Sequence, residues 1–338
     1  MSGEPVPWPP AARAPEVTAY AGVRRKIMGA VVAQAIHAVT ELGVVDRLAA
    51  GPATAAELAA DLGADVDALT RFLRALAGEG LFTVAAGEYA LTPAGELLRS
   101  DVPGSLRHLS RLMTGEAYRV WEEASLSLRT GGPAFEPVFG APLFAWLADR
   151  PARQAEFDRA QAGLAGMRAQ PLLARSWDGV GHVVDVGGGN GMLLGLLLAA
   201  HPWLRGTVFD RPGVTSEAGL PPRCRRVEGD FFVSVPAGGD VYLLAQILHD
   251  WDDRRAVQIL RACHAAMPAG ARLLVLEQVV PEDGGPHPAH LLDLHMLVLL
   301  GGRERTEPGW RRLLAAGGFE VRAVTPGERA SVIEAVPA

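Results

Sequence analysis

The sequence predicts an α/β fold, a doubly wound and mostly parallel sheet, preceded by an all-α N-terminal domain with one hairpin. After Gly181, short apolar runs alternate with helical stretches, which is typical of βαβ units. The apolar runs lie at 182–186, 207–209, 241–247 and 272–276, and the helical stretches at 190–200, 252–266 and 306–316. Upstream of residue 105, apolar residues recur mainly at helical spacing. We expect the last segments, 319–324 and 330–336, to add antiparallel strands.

The N-terminal region divides into a tail and a dimerisation domain. Five prolines in residues 1–15 predict a flexible tail, because proline lacks the amide donor of a helix and restricts the residue before it. From Val23 to Leu48, apolar residues with little charge fall at helical spacing. A helix this apolar needs a partner surface, so residues 16–104 are expected to build a homodimer.

Residues 54–93 follow the order helix, helix, hairpin. Thr54 and Glu57 form a capping-box signature, and Asp65 opens a second helix. Runs at 81–84 and 89–91, separated by a turn, predict the hairpin. This order is typical of a winged helix.

The rest of the chain is expected to form two further regions. Residues 105–175 have helical spacing with breaks at 131–133 and at Pro142, which predicts a helical linker and pocket wall. Residues 176–338 then form the α/β domain, where a ligand-binding and catalytic site is expected. Ligands bind such sheets in the crevice outside the carboxyl ends of the strands, so we expect the functional residues at these strand ends.

Composition excludes several classes of protein. A net charge of -6 gives no general attraction to a polyanion, so nucleic acid is not expected as a partner. The most apolar stretch, Met192–Ala200, is far shorter than the roughly 20 residues that span a membrane. With only two cysteines and no signal-peptide pattern, we expect a cytoplasmic protein without disulfides.

A glycine-rich turn at residues 183–191 is the strongest local signal. Glycine allows positive φ and a close approach of the backbone to a ligand, and the following helix start offers free amides. Counted from Asp185 the spacing is D-x-G-x-G-x-G, with Gly187 and Gly189 in the turn, whereas a dinucleotide fingerprint would need glycine where Met192 stands. The turn therefore favours S-adenosylmethionine over NAD. Glycine turns that merely connect a strand to a helix are the alternative.

Acidic residues follow the next two strands. Asp210 is placed to accept hydrogen bonds from ribose hydroxyls, and Asp230 with Phe231 can hold the edge and face of an adenine. Taken singly, each acid has an alternative role as an ordinary turn residue. Three acids at consecutive strand ends, counting Asp185, favour an adenosine site.

His249 directly follows a central strand, at the edge of the sheet where ligands bind. A lone histidine is more often structural than catalytic, but this position favours a functional role. Asp252 or Asp253 is assigned to cap the following helix.

These motifs, in this order, resemble the class I S-adenosylmethionine-dependent O-methyltransferases of the plant-type and bacterial aromatic polyketide family. The matching segments are the N-terminal winged-helix region, 185–191, Asp210, 230–231, 249–251, 276–277 and 301–306. The resemblance implies that His249 is the general base, flanked by Glu277 and Glu304. It also implies that Asp185, Gly187, Asp210, Asp230 and Phe231 hold the cofactor. At position 245 the family usually has Lys or Ser; here Ala245 leaves that cofactor contact to the backbone or to Gln246.

The resemblance further implies a small aromatic hydroxylated substrate, a secondary metabolite. Imidazole has a pKa of about 6.5 and phenol about 10, so the base needs a carboxylate that orients its ring and stabilises imidazolium. Glu277 or Glu304 would supply it; surface ion pairing of Glu304 with a neighbouring arginine is the alternative. Asp250, Asp293 and Met296 are expected to contact the substrate.

Three other functions are alternatives for this sequence. A winged-helix DNA-binding regulator that senses a small molecule is the main alternative, but the reading helix offers only Arg71 and Arg74 as cations. A metal hydrolase would need His287, His290, Asp293 and His295 to share a coordination sphere. Helical spacing and the prolines on both sides of His287 do not favour this, so no metal is expected. An NAD oxidoreductase conflicts with the glycine spacing.

Overall fold

The computed structural model describes residues 14–214, 219–327 and 330–338. The chain folds as two compact units, the first ending at Val102 and the second covering Pro103–Ala338. Most of the tail predicted over residues 1–15 lies outside the described residues, and helix α1 begins at Ala14 with Pro15 in its first turn. Proline is tolerated there because a first-turn amide has no partner within the helix.

The first unit combines helices with a small antiparallel sheet. Its helices are α1 (Ala14–Leu42), α2 (Val44–Ala49), α3 (Ala55–Leu62), α4 (Val66–Gly78) and α5 (Pro93–Glu96). Its strands are β1 (Ala53–Thr54), β2 (Phe82–Ala85) and β3 (Glu88–Leu91), in the sheet order β1-β3-β2. The predicted order of helix, helix and hairpin is present in α3, α4 and β2–β3. The name winged helix stays a prediction.

Polar caps set the starts of α3 and α4. The predicted capping box forms: the Thr54 hydroxyl accepts from Glu57 N at 3.2 Å, and the Glu57 carboxylate accepts from Thr54 N at 2.8 Å. Asp65 accepts from the backbone N–H three residues on at 2.8 Å. The predicted helix from Val23 to Leu48 is instead broken at Gly43, whose φ of 90° glycine adopts without strain.

The second unit is built around a seven-stranded sheet. Its helices are α6 (Arg107–Thr114), α7 (Glu116–Trp121), α8 (Ala124–Thr130), α9 (Phe135–Phe139), α10 (Leu143–Ala148), α11 (Pro151–Leu173), α12 (Met192–Ala200), α13 (Asp253–Ala266), α14 (Pro288–Leu300) and α15 (Glu307–Ala316), with a 3-10 helix at Leu248–Asp250. Its strands are β4 (His182–Val186), β5 (Arg205–Asp210), β6 (Cys224–Glu228), β7 (Val241–Ala245), β8 (Arg272–Glu277), β9 (Phe319–Thr325) and β10 (Ser331–Pro337).

The strand order β6-β5-β4-β7-β8-β10-β9 creates a crevice at the centre of the sheet. Strands β4 to β8 are parallel, and β10 is antiparallel to β8 and β9, as predicted. The chain winds outward from β4 to β6 and then returns to β7 beside β4. Ligands bind outside the carboxyl ends of strands at such a reversal. The segments that follow β4 and β7 therefore face one crevice.

Apolar layers cover both faces of the sheet because neighbouring residues on a strand point to opposite sides. Val184 and Tyr242 pack in the layer that contains α13 and α15. Val183 and Leu243, one residue away on the same strands, pack in the layer that contains α12 and Trp177. Burial on both faces explains why these strands are continuously apolar. Among the described residues, no helix has both the length and the apolar character needed to cross a bilayer.

Candidate active site

The glycine turn after β4 is shaped to let a ligand approach the backbone. Gly187 and Gly189 have φ values of 74° and 58°, which are left-handed conformations that L side chains rarely adopt. A Cβ on Gly187 would lie 2.5 Å from Ile247 Cδ1, whereas a Cβ on Gly189 would meet no atom within 4 Å. The turn is therefore packed against the β7 side at Gly187 and open at Gly189.

Two carboxylates stand beside this turn. Asp185 is 1% exposed, and neither of its carboxylate oxygens has a hydrogen-bond partner among the described residues. Burial, together with the nearby charge of Asp210, raises the pKa of Asp185 to about 7. Asp210 accepts from Gly189 N at 2.8 Å and from Arg211 N at 2.7 Å, and burial raises its pKa as well. The Asp185 oxygens could therefore accept hydrogen bonds from the donor groups of a ligand.

Aromatic side chains form a wall after β6. Phe231, predicted to face an adenine, packs edge-on against Phe232 and Trp251 at ring distances of 4.9 and 6.1 Å. Asp230 accepts from Phe232 N at 2.8 Å and fixes this turn. Trp251 also lies 5.7 Å from the ring of Phe144 on α10. The wall thus joins the segment after β6 to the segment that carries His249.

The imidazole of His249 lies in a cluster of carboxylates. Its Nδ1 is 2.6 Å from Oε1 of Glu304 and 3.4 Å from Oε2 of Glu277. Its Nε2 is 3.4 Å from Oδ1 of Asp250. His249 is 5% exposed and lies on the 3-10 helix after β7. The structure thus brings Glu277 and Glu304, the two carboxylates expected beside His249, to its ring, together with Asp250, which was expected to contact the substrate.

Glu277 at the end of β8 organises the turn before the histidine. Its Oε1 accepts from the backbone N–H groups of Ile247, Leu248 and His249 at 3.0, 2.9 and 3.3 Å. The predicted strand through Ile247 ends earlier, at Ala245, because Gln246 takes a φ of 58°. The Gln246 amide donates to Glu277 Oε2 at 3.1 Å, and its contact with a cofactor stays a prediction.

Arg305 also stabilises the turn that carries His249, through hydrogen bonds to its backbone carbonyls. Its guanidinium donates to the carbonyl oxygens of Leu248 and Trp251, each at 3.0 Å, and to Asp253 at 3.0 and 2.8 Å. Arg303 N donates to the His249 carbonyl at 2.8 Å. The planar, five-donor guanidinium suits this multiple contact. The segment that carries Glu304 therefore holds the histidine by backbone and side chain together.

Burial raises the pKa values of the carboxyl groups in this cluster toward neutral pH. It raises the pKa of Glu304 to about 8, with Asp293 adding to the effect and Arg305 opposing it. It raises the pKa of Glu277 and of Asp250 to about 7, and in both cases the charge of His249 opposes the rise. Protons within the cluster are therefore exchanged near neutral pH.

Comparison with known proteins assigns the chain to a family. Residues 121–320 match a family model described as an O-methyltransferase domain, and residues 25–101 match an O-methyltransferase dimerisation domain. This chain belongs to the O-methyltransferase family. The assignment makes it an enzyme and does not favour the DNA-binding regulator.

Relatives match the O-methyltransferase over most of their length. Phenazine O-methyltransferase PhzM of Lysobacter antibioticus is 42% identical, over 92% of this chain and 94% of that protein. O-demethylpuromycin-O-methyltransferase of Streptomyces alboniger is 41% identical, over 97% and 92%. The crystal structure of NcsB1 from neocarzinostatin biosynthesis, with S-adenosyl-L-homocysteine and 1,4-dihydroxy-2-naphthoic acid, is 39% identical over 90% and 96%, with a TM-score of 0.74.

The predicted substrate residues of the O-methyltransferase lie on or beside α14. Asp293 accepts from Glu304 N at 2.8 Å, so it positions the partner of the histidine. Met296 is almost fully buried. Substrate contacts of Asp250, Asp293 and Met296 stay predictions. The ligand atoms of His249, Glu277 and Glu304 lie within 4.8 Å of one another, a geometry that could hold a metal ion, although no metal was expected.

Sequence reasoning missed two residues of this region. Arg305 belongs to the 301–306 segment, and the sequence gives it no role beyond the alternative surface pair of Glu304 with Arg303 or Arg305, yet it is 5% exposed and holds backbone carbonyls. Trp121 was not singled out, and its indole donates to His295 at 3.2 Å from 174 positions away. No local pattern marks either contact, because both partners are distant along the chain.

Proposed function

We propose that this O-methyltransferase transfers the methyl group of S-adenosylmethionine to a phenolic hydroxyl of a small aromatic secondary metabolite, with His249 as general base. The proposal rests on one contact above all, the 2.6 Å pairing of His249 Nδ1 with Glu304 Oε1. A proton on Nδ1 that is donated to the carboxylate leaves Nε2, the other ring nitrogen, unprotonated. The imidazole can then accept a proton from a substrate.

The residues after β4 and β5 fit S-adenosylmethionine. The unpartnered, buried oxygens of Asp185 suit the ammonium or hydroxyl donors of such a molecule. The open space at Gly189 suits a close approach, and Asp210 at the end of β5 suits ribose hydroxyls. Asp230 and Phe231 would hold the adenine. When bound, the cofactor supplies an activated methyl carbon on a sulfonium.

The chain's own residues handle the proton. As the acceptor hydroxyl reacts, its proton moves to Nε2 of His249. The Glu304 carboxylate accepts Nδ1–H and stabilises the imidazolium that forms. Glu277, with three backbone N–H donors on one oxygen, keeps the turn and therefore the ring in place. This support is needed because phenol has a pKa of about 10 and imidazolium about 6.5, so free imidazole is a much weaker base than the phenolate that forms.

An aromatic acceptor is supported by the side chains around the crevice and by the relatives. Phe144 packs edge-on against Phe157 at 6.2 Å and lies against Trp251, which gives flat apolar surface near the histidine. One relative is named for a phenazine, and the NcsB1 structure holds a dihydroxynaphthoic acid. We therefore propose a fused or substituted phenol as the acceptor class.

We propose that the enzyme is a homodimer. Helix α1 exposes Tyr20, Val23, Ile27 and Val31, which are spaced at three and four residues and form one apolar stripe. An exposed apolar stripe of this kind marks a protein interface. The match to a dimerisation domain over residues 25–101 supports a second copy as the partner.

The test has a binding step and a transfer step. Titration calorimetry with S-adenosylmethionine and S-adenosylhomocysteine should give saturable binding of each. Incubation of S-adenosylmethionine carrying a 13C-methyl group with 1,4-dihydroxy-2-naphthoic acid and a phenol library should then yield an O–CH3 carbon signal. Labelled N–CH3 or C–CH3 products would contradict the hydroxyl assignment, and failure to bind either cofactor form would contradict the whole proposal.

A further inference from the structure

The tautomer of His295 is fixed by a tryptophan. His295 lies on α14, and its ring is nearly parallel to that of Trp121 of α7, with an interplanar angle of 18° and 6.4 Å between the ring centroids. The indole N–H of Trp121 donates to Nδ1 of His295 at 3.2 Å. An indole nitrogen can only donate, so Nδ1 must be the unprotonated acceptor. In the neutral ring, the remaining proton is therefore on Nε2.

The His295 ring stays neutral at the pH values at which such an enzyme works. Burial lowers the pKa of His295 to about 4, and the charge of His249 adds to the effect. A second positive charge beside a ring that takes up a proton would oppose general-base catalysis. A neutral histidine avoids this repulsion and still offers one N–H donor.

The Nε2–H group of His295 lies beside the catalytic cluster and has no hydrogen-bond partner among the described residues. Helix α14 packs against the 3-10 helix that carries His249, and its Asp293 holds the backbone of Glu304. Among the described residues, Nδ1 is the ring nitrogen of His295 that has a partner, and Nε2 is neither hydrogen-bonded nor sealed from solvent. A partly buried, unpaired donor in this place suits a ligand atom.

We infer that His295 is a specificity-determining residue that donates a hydrogen bond from Nε2 to an oxygen of the acceptor molecule. The inference rests on the proposed function and deepens it. Trp121 is the positioning residue that selects the required tautomer. We therefore expect the substrates to be phenols that present an oxygen lone pair toward α14 when the reacting hydroxyl faces His249.

Two oxygens of the substrate could receive this bond, and they have different consequences. If it is the reacting oxygen, the bond strengthens as phenolate character develops and assists every phenol. If it is a neighbouring carbonyl or carboxylate oxygen, the bond favours only substrates that carry such a group. A pair of probes separates these cases: 1-hydroxy-2-naphthoic acid and 1-naphthol share the hydroxyl and differ in the carboxyl group.

The experiment compares kcat and KM for both probes in the wild type, His295→Phe and His295→Gln. Phe keeps a flat ring and removes the donor, whereas Gln places an amide N–H near the position of Nε2. Loss of one hydrogen bond predicts a fall in kcat/KM of roughly tenfold for His295→Phe, for both probes or for the acid alone. We expect His295→Gln to keep more activity than His295→Phe, while the dissociation constant for S-adenosylhomocysteine stays unchanged in both variants, which a general disturbance of the site would not allow.

Controls separate recognition from folding. Leu291→Ala alters the same helix at a side chain that is 74% exposed and should leave both kcat/KM values unchanged. Nitrogen NMR of histidine-labelled enzyme should find the His295 proton on Nε2, and Trp121→Phe should release it. A proton on Nδ1, or equal kinetics of His295→Phe and wild type on both probes, would overturn this inference alone. No methyl transfer by the wild type to any phenol would overturn the proposed function and this inference together.

Discussion

Gly302 lies against the backbone carbonyl of His249, so closely that a Cβ at position 302 would overlap that oxygen and the carbonyl group of Asp250. The contact joins the segment that carries Glu304 to the turn that carries His249. Because the obstructing atoms are backbone, the neighbour cannot rotate away. The distance between the histidine ring and its carboxylate partner therefore depends on the absence of a side chain at residue 302.

Gly302→Ala should displace the His249 turn and reduce turnover. A shift of about 1 Å in a reacting group can lower kcat by roughly 100-fold, and we expect a loss of that order with an unchanged dissociation constant for S-adenosylhomocysteine. Steady-state kinetics and calorimetry measure the two quantities. The matched control is Gly166→Ala on α11, where a Cβ would meet no atom within 4 Å. Equal kcat values for the two variants would refute this role of residue 302.

His249→Ala should remove the base while leaving cofactor binding nearly intact. We expect kcat to fall by roughly 100-fold to 10,000-fold, the range typical of a general base, because Nε2 acts only in the chemical step. The dissociation constant for S-adenosylmethionine should change little, since Asp185, Asp210 and Asp230 lie at the ends of other strands and the substitution leaves Gln246 in place. Weakened cofactor binding with unchanged turnover at saturation is the result that contradicts the assignment.

Local patterns and long-range contacts differ in how far the sequence revealed them. The strands and the glycine turn were predicted because their signals, apolar runs and D-x-G-x-G-x-G, lie within a few residues. The pairing of His249 with Glu304 spans 55 positions, and only family resemblance suggested it. Gln246 illustrates a further difficulty: its positive φ ends β7 early, and no residue type in the segment predicts that conformation.

The rate should rise with pH through the range in which Glu304 loses its proton. The pKa of Glu304 is raised to about 8, so its carboxylate, which fixes the proton on His249 Nδ1, forms only as the pH increases toward that value. We expect kcat to climb between about pH 7 and 9 and to be lost at lower pH. Glu304→Gln should lower kcat and abolish this limb of the profile. The control Glu307→Gln, a half-exposed residue on α15 that pairs with Arg311, should keep the wild-type profile. A wild-type limb that survives in Glu304→Gln would contradict this reading.

Asp185→Asn should weaken cofactor binding and raise the stability of the ligand-free protein. The folded-state pKa of Asp185 is raised to about 7 from an ordinary value near 4, so its contribution to stability is present at low pH and lost as the pH rises toward 7. Above pH 7 the substitution removes the unfavourable burial of a charge, and the melting temperature of the ligand-free protein should increase. Calorimetry should at the same time find weaker binding of S-adenosylmethionine. Unchanged cofactor affinity would contradict the placement of the cofactor beside this residue.

Ile27→Asp should dissociate the homodimer without unfolding the chain. Ile27 is 70% exposed in the described chain and lies in the middle of the apolar stripe of α1. A carboxylate buried there by a second copy would lack a partner, and such burial opposes association strongly. Light scattering should therefore report a dimer for the wild type and a monomer for Ile27→Asp, with similar helical circular dichroism. The control is Leu128→Asp, because Leu128 is 84% exposed on α8 and lies outside the stripe. Dissociation in the control, or a dimer that persists in Ile27→Asp, would rule out the α1 stripe as the interface.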